Sequence, residues 1–374
     1  MKKKVLIVSE SLGCSNNAVG QRMESFLRVL QKTEKVACWV LDSRRIERPE
    51  VINSGSRFYS GYVKRKKNFI ARLVFEVLFS IEFLMFIIAN RKRFDTIFIT
   101  SPPYIFALNA AIFCKILRVD VIFDTRDLYP EVYVMSGLVR SNNPLYKLLS
   151  WYHYRVLKTM KIACATHGIE KYLQSKGITN TAVYLNGSSL RRDHDHDQVV
   201  KYDKFTIIFH GTLGKFQMPG MLLNIATEYK DLLNLLIFTD NEIDVSELDN
   251  VFVSNQLPMD RLGQELRRCH LGISLRDNSF LSQISNPVKL FDYINLNIPS
   301  VAYPCSEICE LTQDTGLVKC FGFNQEADLR LFIARCASDG EFFTSSFNTV
   351  PLRESQKFDR DSITEKFISE SEFF

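Results

Sequence analysis

Phe205-Thr206-Ile207-Ile208-Phe209-His210-Gly211-Thr212-Leu213-Gly214-Lys215-Phe216-Gln217 decides how the chain is built. A short apolar run ends in His210-Gly211, a second glycine follows at Gly214, and a helical pattern begins soon after. A nearly continuous apolar run bounded by small residues reads as a strand buried on both faces, which is the parallel-sheet case. Just upstream, Arg191–Lys201 is polar, highly charged and free of helical periodicity. The strand–turn–helix pattern therefore starts afresh here, after a first series that begins at residue 5. Two βα domains meeting near residue 195 is the economical reading.

Both series carry the same signal. In the first, Val5–Ser9, Val36–Leu41, Thr96–Thr100, Val121–Asp124, Ile162–Thr166 and Ala182–Leu185 read as strands, with helices over Ala18–Gln31, Asn109–Leu117 and Pro144–Met160. In the second, Leu235–Phe238, Val251–Val253, Leu271–Leu275, Ser300–Tyr303 and Leu317–Phe321 follow the opening strand, and Glu354–Phe374 reads as a polar helix. The 374 residues suit two or three domains at roughly 150 residues each. Hydrophobic residues at 46% and charged residues at 24% exclude disordered and fibrous classes. A net charge of +5 is too small an excess to argue for nucleic acid as a partner.

The cysteines form no CxxC pair. Met1-Lys2-Lys3-Lys4 runs directly into Val5-Leu6-Ile7-Val8, without the longer apolar stretch and small-residue cleavage site of a signal peptide. The expectation is reduced, half-buried thiols in the cytoplasm, with Cys305 and Cys309 one helical turn apart. Phe69–Ala89 stands out as an apolar stretch broken only by Arg72, Glu76, Ser80 and Glu82, and it follows the basic cluster Lys64-Arg65-Lys66-Lys67. Its length suits a membrane span, but three ionisable residues make a span costly. Arg72 and Glu76 are spaced i,i+4, as on an exposed helix face. The favoured reading is a helix buried in the domain or lying on the membrane, beside basic residues that an anionic leaflet would attract.

Ligands of doubly wound domains bind beyond the carboxyl ends of the strands, so residues just after strands matter most. Ser9-Glu10-Ser11-Leu12-Gly13 follows the first strand, and Gly20-Gln21-Arg22 lies at a helix start, where small residues expose backbone N–H groups. An ordinary βα loop would look the same. The GxGxxG fingerprint is absent, which disfavours a nicotinamide or flavin cofactor. Arg126 and Asp127, within Asp124-Thr125-Arg126-Asp127, are costly to desolvate at a strand end unless paired or used; a structural Arg–Asp pair is the alternative. Gly211 and Gly214, with Leu213 between them and Lys215 and Gln217 after, form a possible diphosphate cradle. Lys289 and Asp292 share a helix face, where a lysine can hold phosphate and a carboxylate can accept from sugar hydroxyls; a surface ion pair would look alike. Asp193-His194-Asp195-His196-Asp197 has metal-like spacing but lies in the interdomain linker, and no metal site is assigned to it.

Five segments in this order carry a family resemblance: Thr100-Ser101-Pro102-Pro103, Asp124–Glu131 (with Arg126-Asp127-Leu128-Tyr129-Pro130-Glu131), Leu185-Asn186-Gly187, Gly211–Gln217 and Pro287–Tyr293. Together they resemble bacterial family 4 glycosyltransferases of the GT-B fold. The subgroup they look most like includes L-fucosamine transferases of surface polysaccharide (O-antigen, capsule) assembly, which often have Trp where Tyr129 stands. The resemblance runs from residue 5 to about 335.

It implies an α/β protein of two Rossmann-like, doubly wound domains facing across a cleft. An acceptor domain would span residues 1–190 and a nucleotide-sugar donor domain 200–350, with the helix at 351–374 packing back on the first. It implies a retaining hexosyltransferase that needs neither metal nor cofactor, the nucleotide sugar being a substrate. The acceptor would be a lipid-linked saccharide, at an anionic inner-membrane surface on its cytoplasmic side. Gly211, Gly214, Lys215 and Lys289 would hold the diphosphate, Asp292 the ribose hydroxyls, and Asp127 and Arg126 the reacting sugar or acceptor. The family's Glu-x7-Glu pattern is altered: Asp292 stands at its second acid and Ile284 at its first. A nucleotide-sugar 2-epimerase of the same fold, or a non-catalytic sugar-binding relative, are the competing readings.

Overall fold

The computed structural model of the chain describes residues 3–10, 18–40, 57–59, 69–192 and 199–374. The segment Ser11-Leu12-Gly13, the Lys64–Lys67 cluster and the Asp193–Asp197 run lie outside the described residues, as does the side chain of Arg72. The chain forms two compact units, one from Met1–Leu185 with Ile363–Phe374 and one from Asn186–Ser362.

The first unit holds strands β1 (Lys4–Ser9), β2 (Lys35–Val40), β3 (Arg57–Tyr59), β4 (Thr96–Ser101), β5 (Asp120–Thr125), β6 (Lys161–Cys164) and β7 (Thr181–Val183). They form one parallel sheet in the order β3-β2-β1-β4-β5-β6-β7. The second unit holds β8 (Phe205–His210), β9 (Leu233–Phe238), β10 (Val251–Ser254), β11 (Leu271–Leu275), β12 (Ser300–Tyr303) and β13 (Val318–Cys320), in the order β10-β9-β8-β11-β12-β13. Both sheets reverse direction of growth once, between β1 and β4 and between β8 and β11. That reversal is the topological switch point at which doubly wound domains bind ligands.

Val5, Leu6, Ile7 and Val8 are all fully buried, as are Ile97, Phe98 and Ile99 on β4. Such strands have no polar face because helices cover both sides. Sequence patterning locates these strands to within a few residues but gives no sign of β3, a three-residue edge strand. The terminal residues Ile363, Phe367 and Phe373 are buried with Phe26, Phe98 and Tyr184 in the core of the first unit. Tyr184 stacks on Phe367 at 4.6 Å, and its hydroxyl lies 2.9 Å from that of Thr364. The second unit has one apolar layer on each sheet face, one around Phe291 and Tyr293 and the other around Phe209 and Ile237.

The helix Phe69–Asn90 corrects one expectation. Glu76 is not on an exposed face: it is 4% exposed, and its carboxylate accepts the Ile105 N–H at 2.8 Å. Ile105 lies in the first turn of the helix Tyr104–Ile116, whose orphan N–H groups favour a negative charge. Asn109 donates to the Ser80 hydroxyl at 3.1 Å on the same seam, and Phe83 and Ile87 below it are fully buried. Val74, Val77, Leu78, Ile81, Met85 and Ile88 are exposed on the other side. The stretch Leu73–Arg93 is long and apolar enough to cross a membrane. The expectation of thiols throughout also fails at one place, because Cys309 and Cys320 are joined in a disulfide. Cys320 ends β13 and Cys309 lies on the helix Glu307–Thr312 that follows β12, so the β12–β13 pairing brings them together, which local sequence does not reveal.

Candidate active site

In the second unit the switch point lies between the ends of β8 and β11. His210 closes β8, and Gly211 turns the chain with φ +95°, a conformation open to glycine without strain. The N–H groups that follow are already used. Gly211 donates to the Phe238 carbonyl at 2.9 Å, Leu213 to the Asn241 side-chain oxygen at 2.9 Å, and Gly214 to the Gln217 side-chain oxygen at 2.9 Å. The expected diphosphate cradle is therefore closed on itself by two amide side chains. Lys215 stands exposed beside it.

Lys289 is brought to this place by the helix Val288–Asn295. It is 9% exposed, and its ammonium lies 3.5 Å from the centroid of the Phe209 ring, on β8. It donates to no protein acceptor among the described residues. Burial pushes its pKa well below the usual lysine value, and the charge of Arg276 adds to this, while Asp292 opposes it. Arg276 follows β11 directly and donates through Nε to the Ser282 hydroxyl at 3.3 Å. Arg276 thus pairs with Lys289 as a second cation, which sequence reasoning missed because the two are separated by a loop and nothing in their spacing joins them. That loop is rigidly held: Asp277 accepts from the hydroxyls of Ser279 and Ser282, and its N–H donates to the Phe216 carbonyl at 2.9 Å. Ile284 caps the short helix Phe280–Gln283 and brings no acid to the site.

Asp292, expected to take ribose hydroxyls, is engaged within the protein. It is 3% exposed, and its carboxylate accepts the Ser188 hydroxyl at 2.5 Å. Burial pushes its pKa up to about 6, against the opposing effects of Ser188, Arg360 and Lys289. Its other oxygen lies 3.6 Å from His210 Nε2. Burial holds that imidazole at about 3, helped by Lys289, so His210 is neutral and the pair is not an ion pair at neutral pH. The carboxylate anchors Ser188, and no ion pair joins it to Lys289 among the described residues.

The first unit gathers its candidates at the ends of β1, β4 and β5. Arg22 is fully buried and fully engaged. It donates to both oxygens of Asp124 (2.9 and 3.4 Å), to the Tyr184 carbonyl at 2.7 Å and to the Leu185 carbonyl at 2.8 Å. Thr100 supplies Asp124 with a further hydrogen bond at 2.8 Å. Arg22 is therefore a structural cation that joins three segments, and Gly20 lies inside the helix Ala18–Thr33 rather than in a ligand-binding loop. Arg126 is half-buried, its Nε has no hydrogen-bond partner among the described residues, and burial together with Arg22 lowers its pKa, against Asp127 and Asp124. Asp127 is exposed at the same strand end.

Next to it, Tyr104 and Tyr129 stack at 4.5 Å with Tyr133 edge-on to both. Glu131 accepts from the hydroxyls of Tyr154 and Tyr172. These tyrosines come from two later helices, and only the fold brings them to Glu131.

No family model matches the sequence, and no curated protein does. Solved structures do match over almost the whole chain. Anabaena HepE in complex with UDP-glucose is 14% identical with a TM-score of 0.69, covering 98% of this chain and 99% of that one. Sucrose-phosphate synthase from Thermosynechococcus elongatus is 13% identical with a TM-score of 0.67, covering 98% of each. UDP-GlcNAc 2-epimerase from Neisseria meningitidis, bound to UDP-GlcNAc, is 11% identical with a TM-score of 0.60, again covering 98% of each. At such identities the likeness is one of fold. The chain has the two-domain, Rossmann-like GT-B fold, in which glycosyltransferases and nucleotide-sugar epimerases both occur.

Proposed function

We propose that the chain is a retaining glycosyltransferase of the family 4 type, resembling the L-fucosamine transferases. It takes a sugar from a nucleoside diphosphate held in the Asn186–Ser362 unit and passes it to a lipid-linked saccharide in surface polysaccharide assembly. The observation that carries this reading is Lys289, a buried ammonium without a protein acceptor among the described residues, beside Arg276 at a switch point. A diphosphate would supply the missing anion. Its oxygens would also take the Leu213 and Gly214 N–H groups by displacing the side chains of Asn241 and Gln217. The leaving diphosphate and an oxocarbenium-like centre are the charges to be stabilised, and in this reading Lys289 and Arg276 take the diphosphate charge, with no metal or cofactor called for. Asp127 and Arg126 are assigned to the reacting sugar or acceptor, and Tyr129 and Tyr133 to the faces of acceptor sugars. The exposed side of Phe69–Asn90, ending in exposed Arg91, Lys92 and Arg93, would rest on the anionic cytoplasmic face of the inner membrane, where a lipid-linked acceptor is found.

Two solved structures of this fold hold UDP-glucose and UDP-GlcNAc, which supports a nucleotide-sugar donor. The deciding experiment is a thermal-shift panel of nucleotide sugars, followed by incubation of the best binder with and without membrane lipid extract. A ligand at 100 times its Kd should stabilise by about 2.7 kcal/mol. Sugar transfer that requires the extract is the expected result. The epimerase neighbours favour one second reading, a 2-epimerase, and an isomerised nucleotide sugar formed without acceptor would establish it instead.

A further inference from the structure

We propose that Cys305, Cys309 and Cys320 form a zinc site when reduced, separate from the nucleotide-sugar site. Their sulfur atoms all lie within 4.8 Å of one another, the one such grouping of three metal-ligating residues among the described residues. They come from three pieces of backbone held in register. Cys320 ends β13, which pairs with β12 through Ala302 and Cys320. Cys305 lies two residues beyond β12, and its N–H donates to the Phe321 carbonyl at 2.7 Å. Cys309 sits in the helix Glu307–Thr312, its N–H bonded to the Ser306 carbonyl at 2.9 Å. The sulfurs are thus presented by fixed backbone rather than by a loose loop, which a metal site needs.

Tetrahedral zinc holds thiolate sulfurs at about 2.3 Å, so neighbouring sulfurs stand roughly 3.8 Å apart. With the Cys309–Cys320 bond reduced, side-chain rotation would bring those two sulfurs to that spacing, and the Cys305 sulfur lies within 4.8 Å of both. Three thiolates leave the fourth position to water. The other described thiols, Cys38, Cys114, Cys164, Cys269 and Cys336, are buried apart from this group, whereas Cys305 is exposed and gives an ion a way in. The disulfide and the ion exclude each other, because a bonded pair of sulfurs has lost the thiolate charge that zinc requires.

The test uses the full chain, reduced with a phosphine that does not bind zinc, then mixed with Zn²⁺ or with Co²⁺ as its spectroscopic substitute. The expected result is one ion per chain and thiolate-to-cobalt charge-transfer absorption. Cys305→Ser and Cys309→Ser should each lose the ion with an unchanged melting temperature before metal is added, while Cys269→Ser keeps it. Treatment with hydrogen peroxide should also abolish binding: two thiols become one disulfide as peroxide is reduced to two waters. A reduced wild-type chain that binds no zinc overturns the proposal, and so does retention of the ion by both Cys305→Ser and Cys309→Ser. The assay is indifferent to nucleotide sugars, so its failure leaves the transferase reading standing, and the reverse holds too.

Discussion

Lys289 is the residue on which the donor site rests, and it makes a sharp prediction. Replacing it with methionine keeps most of its volume over Phe209 and removes a buried charge, so folding stability should hold or rise. Affinity for a nucleoside diphosphate should fall at least tenfold, ~1.4 kcal/mol, while affinity for the free nucleoside barely changes; calorimetric titration separates the two. Equal diphosphate affinity in the variant would misplace the site.

The histidines give a pH prediction. His153 and His210 are both held at about 3 by burial, below the unfolded value of about 6.5. Each therefore contributes stability that is complete above about pH 6.5 and is lost as pH falls toward 3, at about 1.4 kcal/mol per pH unit. Asp292, raised to about 6, works in the opposite sense: its contribution is complete below about pH 4 and is lost as pH rises to 6. The two cancel across that window in the second unit, so acid lability should come mainly from His153 in the first. Denaturant titrations from pH 7 to 4 should show a flatter slope for His153→Phe and a steeper one for Asp292→Asn. A strand end drew Arg126 and Asp127 out of the sequence as candidates, and a helix start drew out Lys289; that candidacy was legible there. The fate of Asp292 was not, since Ser188 lies 104 positions away.

Among the elements, the helix Phe69–Asn90 shows where patterning stops informing. Both of its faces are apolar, so hydrophobic periodicity cannot say which is covered. The covered face proves to be the one carrying Glu76 and Ser80, whose polar groups meet the start of the helix Tyr104–Ile116. Glu76→Ala should therefore destabilise by about 1–3 kcal/mol, since it strands a buried N–H, measurable by urea denaturation. Changing Val77, Ile81 and Met85 together to serine should leave stability near wild type but abolish flotation with anionic vesicles. Wild-type flotation should weaken in high salt as the charges are screened. Flotation of the triple variant at wild-type levels would assign membrane contact elsewhere.

For the whole molecule, the two-sheet plan was readable because most strands are short, largely apolar runs between turns. The return of the chain's end to the first domain was an expectation of the family resemblance rather than of patterning; residues 363–374, a shorter stretch than the 351–374 expected, group with the first unit. Phe367 and Phe373 are nearly fully buried there, and Phe367→Ala should cost about 3–5 kcal/mol. Calorimetry should show one unit melting earlier and the other unmoved; a shift of neither would refute the role of this segment. The same feature governs the order of events on the ribosome. Residues 1–185 leave the exit tunnel first, yet their core lacks its last layer until the end of the chain has been made. The intervening residues take roughly 10–35 s to synthesise at ~5–20 residues per second. The second unit, contiguous in sequence, closes within that interval, so the domain born first is finished last and meets chaperones with an apolar groove still open.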